Sequence, residues 1–329
     1  MRAGEWWEFK LAPIFAAFYA TALTLRVPMG SLWFAALTVL LALVPGAAYV
    51  SVINDITDRD EDLAAGKRNR LAGRSRAYAA ALVSITAGAG IVFCYLWRRD
   101  TLLLSVYLAA WLAFSLYSLP PFRWKTRGIL GVLCDASGAH LFPTLVAVVL
   151  AFRAAGKPVS APWILAIGVW TFANGIRGIL WHQLTDLEHD RHAGVRTFAQ
   201  RHAPHVAARL GTFVAFPLEL IALAAMLWQM RSVSPVAALA AYLVLTAWRL
   251  RYWAVNAVIV APKPRFLIVL HEYYDAWLPV SILIASALRY PYDWIVLAIH
   301  LLVFPTRTRL ALGDAIKVLR ELRYRVLKR

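Results

Sequence analysis

Ten apolar stretches limit what this chain can fold into: residues 11–25, 31–53, 78–97, 101–119, 129–152, 161–181, 206–230, 235–260, 266–288 and 292–305. A helix needs about 20 apolar residues to cross a bilayer, and most of these stretches meet or approach that length. The first and last are short, so the count stands at nine or ten spans. The chain is 61% hydrophobic, against roughly 45–50% for soluble domains, and its charges gather between the runs. The expected fold is all-α: a polytopic membrane helical bundle of nine to ten transmembrane helices. It forms one domain over residues 1–305, followed by a basic tail over 306–329.

The net charge of +17 raises nucleic acid as a partner, but no groove-reading module is visible and none is expected to bind. The basic residues flank the apolar runs. Segments 54–77, 120–128, 182–205 and 261–265 are basic, as is the tail from Arg307, whereas 153–160, 231–234 and 289–291 carry fewer charges. Arg98 and Arg99 run against the trend. Positive-inside logic puts the basic segments on the cytoplasmic face, and the expected location is a bacterial inner membrane. The lipid bilayer is the expected partner, and the tail reads as a basic amphipathic segment on the cytoplasmic leaflet. Cys94 and Cys134 lie in apolar stretches and read as small buried hydrophobes. Glu5 and Lys10 precede the first run without a convincing cleavage pattern, so that run reads as an anchor.

Two polar segments share a pattern. Asp58-x-x-x-Asp62-x-x-x-Gly66 recurs as Asp186-x-x-x-Asp190-x-x-x-Gly194, and Ala65 and Arg68 recur as Ala193 and Arg196, each pair 128 positions apart. Residues four apart share a helix face, so each copy presents two carboxylates side by side. The offset spans four helices, an even number, which keeps both copies in one orientation as a parallel internal repeat. One acidic pair alone fits a solvated helix end. These acids stand beside Lys67, Arg68 and Arg70 at a membrane edge, a setting that suits Mg²⁺ shared between carboxylates and substrate phosphates. Metal and guanidinium together neutralise the charge that grows on a departing diphosphate. His182, His189 and His192 lack zinc-site spacing. Arg177, inside a span, points to a cavity or a partner, and Asn174, Arg177, Trp181, His182 and Asp186 fall roughly along one face.

With these residues in view, the chain resembles the UbiA-type family of intramembrane prenyltransferases. Asn54-Asp55-x-x-Asp58-x-x-x-Asp62 is similar to that family's first aspartate motif, and Asp186-x-x-x-Asp190-x-x-x-Gly194-x-x-Thr197 to its second. Tyr117-Ser118-Leu119-Pro120-Pro121-Phe122-Arg123-Trp124-Lys125 is similar to the loop between them. The resemblance implies about nine helices around a cavity open to lipid, and Mg²⁺-dependent transfer of an isoprenyl group from a polyprenyl diphosphate to an aromatic or hydroxylic acceptor. It implies that Asn54, Asp58 and Asp62 hold one Mg²⁺ and Asp186 and Asp190 another. Arg68, Lys125 and Arg123 would meet diphosphate oxygens, with Tyr117 near the reacting allylic carbon.

There are departures from the family pattern. Arg70 is followed by Leu71 where many members have proline, and His182-Gln183 stands where the first copy has Asn54-Asp55. Arg177, His182 and Asp275 are the substrate-side candidates. Asp275 belongs to a third polar cluster, His271-Glu272-Tyr273-Tyr274-Asp275, which is open to two readings: an interfacial polar pair, or an acceptor-binding or proton-accepting site. Asp135 and His140 raise the same question. Two other functions are compatible with the composition: a terpene cyclase on the same scaffold, and a non-enzymatic transporter. CDP-alcohol phosphotransferases are set aside because their motif begins Asp-Gly, a dipeptide absent from this chain.

Overall fold

The computed structural model describes residues 6–64, 66, 69–192 and 194–327. Expectations for Ala65, Lys67, Arg68 and Ala193 lie outside these residues. Eight helices among them are long and apolar enough to cross a membrane: α1 (Trp7–Leu25), α2 (Met29–Thr57), α3 (Arg76–Leu96), α4 (Thr101–Ser118), α5 (Ile129–Ala154), α6 (Ala161–Thr185), α7 (Pro204–Met230) and α8 (Val233–Tyr252). They are followed by α9 (residues 271–289), α10 (Asp293–Val303) and α11 (Pro305–Leu327). Taken as one bent span, α10 and α11 make a ninth. The expected all-α polytopic bundle is what forms.

α1 runs through the middle of the bundle. Every residue from Leu11 to Ala22 is buried, and the helix packs against α5, α7 and α9. The Trp163 indole donates to the Thr21 hydroxyl at 2.9 Å, tying α6 to this core. α3 lies at the other extreme: Ile85, Ile91, Val92, Tyr95 and Leu96 are all exposed, as expected of a helix whose solvent is lipid.

The repeat is built into the backbone. The α-helical part of α2, Trp33–Thr57, and the whole of α6, Ala161–Thr185, both contain 25 residues and begin and end 128 positions apart. Each is followed by a six-residue helix, Arg59–Ala64 and Leu187–His192, at the same offset. Each short helix is followed by a glycine in the left-handed region, Gly66 at φ 67° and Gly194 at φ 68°, the conformation that glycine adopts without a Cβ clash. The next long helices begin at Arg76 and Pro204, again at that offset.

Beyond these helices the halves diverge. The eighth apolar run was expected to continue to residue 260, but α8 stops at Tyr252. A two-stranded parallel pair follows, β1 (Asn256–Val258) and β2 (Phe266–Ile268), with Asn256 opposite Phe266. Pro262 and Pro264 cannot continue a helix, and the flanking Val258-Ile259-Val260 and Ile268-Val269 are β-branched residues suited to strands. The ninth helix therefore starts after Leu270 rather than at 266.

Candidate active site

The first motif sits where α2 ends. The Asp58 N–H donates to the Asn54 carbonyl at 2.9 Å and the Asp62 N–H to the Asp58 carbonyl at 2.8 Å, so Asn54, Asp58 and Asp62 follow one another a turn apart. At the second motif the Asp186 N–H meets the His182 carbonyl at 2.9 Å and the Asp190 N–H meets that of Asp186 at 2.8 Å. The copies also share a supporting contact. Asn69 Nδ2 donates to Asp62 Oδ2 at 3.0 Å, and Thr197 Oγ1, at the same place in the repeat, donates to Asp190 Oδ2 at 3.3 Å. Asn69 further donates to the Asp55 carbonyl at 2.8 Å and accepts the N–H groups of Leu71 and Ala72 at 3.0 and 3.1 Å. It is the polar core of its loop.

The loop from Leu119 to Gly128 brings the cations in. Arg123 adopts a left-handed conformation, φ 39°, and the next three residues form a 3-10 turn, Trp124–Thr126. Lys125 Nζ is paired with Asp58 Oδ1 and stands 3.5 Å from Glu61 Oε2. Arg123 Nη2 reaches Asp58 Oδ1 at 3.3 Å and Glu61 Oε1 at 2.8 Å. Lys125 is buried, a position that such a residue keeps only when paired. Ser118, preceding the loop, donates to Asn54 Oδ1.

Tyr117 feels the negative charges of Asp135, of Asp58 in the first motif and of Asp190 in the second. It also lines a cavity whose wall on α2 runs from Asn54 to Ala42, about 18 Å of helix at 1.5 Å per residue. The remaining wall is largely apolar and aromatic, with Leu11, Ile14, Tyr107, Trp111 and Phe114. Lys10 and Asp135 are its charged members.

Arg177, Asp275 and His182 are not among the residues that line this cavity. Arg177 is fully buried in a forked ion pair with Glu219, Nε to Oε2 and Nη2 to Oε1 both at 2.8 Å. A third bond runs from Nη1 to the Ile259 carbonyl at 3.2 Å. A fully desolvated guanidinium requires a carboxylate, and Glu219 supplies it. Asp275 is buried away from the cavity wall, with Oδ2 3.9 Å from Arg307 Nε of α11. His182 is exposed one turn before Asp186, its ring 5.0 Å from that of Trp181.

Four contributors escaped the sequence reading. Asn69 was recoverable from the repeat itself, lying 128 positions before Thr197. Glu219 was recoverable as an acid inside an apolar run that already had a buried arginine to answer. Glu61 and Lys10 carried no local signal.

The profile of the UbiA prenyltransferase family matches residues 11–270. The chain belongs to that family. It is 31% identical over 199 residues to a lycopene elongase/hydratase of Halobacterium salinarum, covering 59% of this chain and 67% of that protein. It is 28% identical over 191 residues to the chloroplastic 2-acylphloroglucinol 4-prenyltransferase of Humulus lupulus, covering 54% of this chain and 44% of that one. The chain thus spans two thirds or less of the curated relatives it matches. Among solved structures, the fold is similar to a UbiA homologue from Archaeoglobus fulgidus bound to GPP and Mg²⁺, with TM-score 0.56, 18% identity, and coverage of 89% of this chain and 96% of that one. In this UbiA-family chain the groups at the two motifs are oxygen donors, the Asn54 amide and four carboxylates. That donor set suits Mg²⁺, which prefers oxygen ligands and shares its coordination with substrate phosphates.

Proposed function

We propose that this chain is an integral-membrane, Mg²⁺-dependent prenyltransferase that takes its isoprenyl group from a prenyl diphosphate. The observation that carries this reading is the largely apolar cavity that runs along α2 from Ala42 to Asn54, the first residue of the first aspartate motif, with Tyr117 in its wall. Asn54, Asp58, Asp62, Asp186 and Asp190 would hold the metal, which supplies charge neutralisation to a departing diphosphate. Lys125 and Arg123 are the cations that diphosphate oxygens would meet, joined by Arg68. The cavity excludes water from the allylic chain, and the faces of Tyr49, Tyr107, Trp111 and Phe114 along it favour developing positive charge. Basic loops on the motif side support a cytoplasm-facing site.

An aromatic or hydroxylic acceptor is the first reading of the second substrate. A polyene acceptor is the second, favoured by the likeness to a protein named for elongating lycopene. The test is to incubate the purified chain with geranylgeranyl diphosphate and Mg²⁺, first without acceptor and then with an acylphloroglucinol or lycopene. Metal-dependent diphosphate release and a prenylated acceptor are expected. Absence of release overturns the reading, and a cyclic hydrocarbon as main product makes the chain a cyclase instead.

A further inference from the structure

α11 meets α10 at 94°. α10 packs along α9, and a helix at right angles to that direction lies in the plane of the membrane. Its level is fixed by the start of α1. Glu8 Oε1 and Oε2 accept the N–H groups of Thr306 and Arg307 at 3.1 and 3.0 Å, and the Trp7 indole donates to the Val303 carbonyl at 2.9 Å. The Arg307 guanidinium lies 4.5 Å from the centroid of the Phe9 ring. α1 and α2 are consecutive and cross in opposite senses, so the start of α1 and the end of α2, where Asp58 sits, are on the same face of the bundle.

The two sides of α11 are built differently. Toward the protein, Asp314 is 2.7 Å from Arg249 Nη2, and Glu321 accepts the indole N–H groups of Trp248 and Trp253 at 3.1 Å. Lys317 lies over the Trp253 ring at 4.2 Å and Ala311 is buried. Both acidic residues of the helix are therefore turned inward. Outward, Leu312, Ile316, Leu319 and Leu322 are 60, 41, 65 and 40% exposed. Their spacings of four, three and three place them on one face. Arg309, Arg320 and Arg323 are exposed on that same side.

An apolar stripe bordered by arginines, on a helix too polar to span, is the pattern of a helix that rests in the headgroup region with its apolar face in the acyl boundary. We propose that α11 is an in-plane membrane helix whose outer face binds anionic phospholipid headgroups of the chain's own bilayer, on the face that carries the aspartate motifs. Charge complementarity selects the occupant: with the acids committed inward, the outer face offers an anion only donors. Leu312, Ile316, Leu319 and Leu322 supply insertion, while Arg309, Arg320 and Arg323 reach the phosphates as bidentate donors. The inference is independent of the reaction catalysed.

The test uses the full chain with Cys94→Ala and Cys134→Ala, bearing an environment-sensitive fluorophore at Ile316→Cys or, as control, at Ala261→Cys in the exposed 261–265 loop. Each is reconstituted into vesicles of phosphatidylcholine alone or with phosphatidylglycerol. The label at 316 is expected to be quenched by spin-labelled lipid and shielded from iodide, several-fold more so with phosphatidylglycerol. Added salt should weaken that difference, and the combined Arg309→Gln, Arg320→Gln and Arg323→Gln variant should lose it. The label at 261 is expected to stay open to iodide. Iodide access at 316 in both membranes overturns the proposal. So does equal lipid quenching in both, which means apolar insertion without anion recognition. Quenching that tracks protein density rather than lipid assigns the face to a second copy of the chain.

Discussion

Arg177 and Glu219 meet at two 2.8 Å contacts with neither side chain exposed to solvent. The pair fastens α6 to α7, and Tyr274 of α9 donates to Glu219 Oε1 at 2.8 Å, adding a third helix. Arg177→Met leaves a buried carboxylate without its cation, a change that destabilises by about 3–5 kcal/mol in comparable pairs. Half-inactivation temperature in detergent should fall accordingly. The double variant Arg177→Met/Glu219→Leu should recover most of the loss and keep its affinity for prenyl diphosphate. A double variant that is stable but fails to bind donor would return Arg177 to the substrate.

The repeat predicts unequal consequences for matching residues. Among the described residues the Asn69 side chain makes four hydrogen bonds around Asp62, whereas that of Thr197 makes one, at 3.3 Å, to Asp190. Loss of a residue that orients a metal-binding carboxylate typically weakens metal affinity about 10–100-fold. Asn69→Ala should therefore raise the Mg²⁺ needed for half-maximal diphosphate release by roughly that factor. Thr197→Ala should shift it far less. A titration of release against Mg²⁺ compares the two directly, and equal shifts would remove the functional reading of the hydrogen-bond count.

Lys125 holds Asp58 and Glu61 together from the loop. Lys125→Met removes a cation that a diphosphate would meet and leaves Asp58 and Glu61 paired with Arg123. The expected result is a fall in kcat/KM for the donor of about 10²-fold, the scale seen when a donor aimed at developing negative charge is removed. Retention of activity in Lys125→Met would place diphosphate binding elsewhere.

Gly90 of α3 tests the cavity floor. A Cβ there would lie 2.4 Å from Cζ2 of Trp111, whose indole lines the cavity beside Tyr49 and Tyr107. Gly90→Ala must push that ring, and the cavity is the open direction. The ratio of kcat/KM for geranylgeranyl over dimethylallyl diphosphate should fall several-fold, and Trp111→Leu on the same background should restore it. An unchanged ratio in Gly90→Ala would separate Trp111 from donor length.

Glu8 sits at the junction of the chain's two ends. Glu8→Gln keeps the shape but weakens the negative charge facing the N-terminus of α11, an interaction worth about 0.3–1 kcal/mol at such positions. Because α1 supplies Lys10, Leu11 and Ile14 to the cavity wall, the variant should loosen both elements. Faster amide exchange at the start of α11 is the readout, and no change there would make the cap incidental.

The sequence by itself determined the helical membrane class, the two aspartate motifs, the loop that carries Arg123 and Lys125, and the four-span repeat. These are written in local spacing: apolar run length against bilayer thickness, and carboxylates four apart against the helical turn. The 128-residue offset even held to the residue at the helix ends Thr57 and Thr185. Tertiary structure alone decided the partners. Arg177 looked like a substrate ligand because a guanidinium inside a span needs an anion, and spacing could not say that Glu219, 42 residues on, would be that anion. Asp275 was turned toward Arg307 of α11, and Glu61 toward the Arg123–Lys125 loop, by packing between distant segments. A charge in low dielectric must be answered, but where its answer lies is fixed by which helices meet.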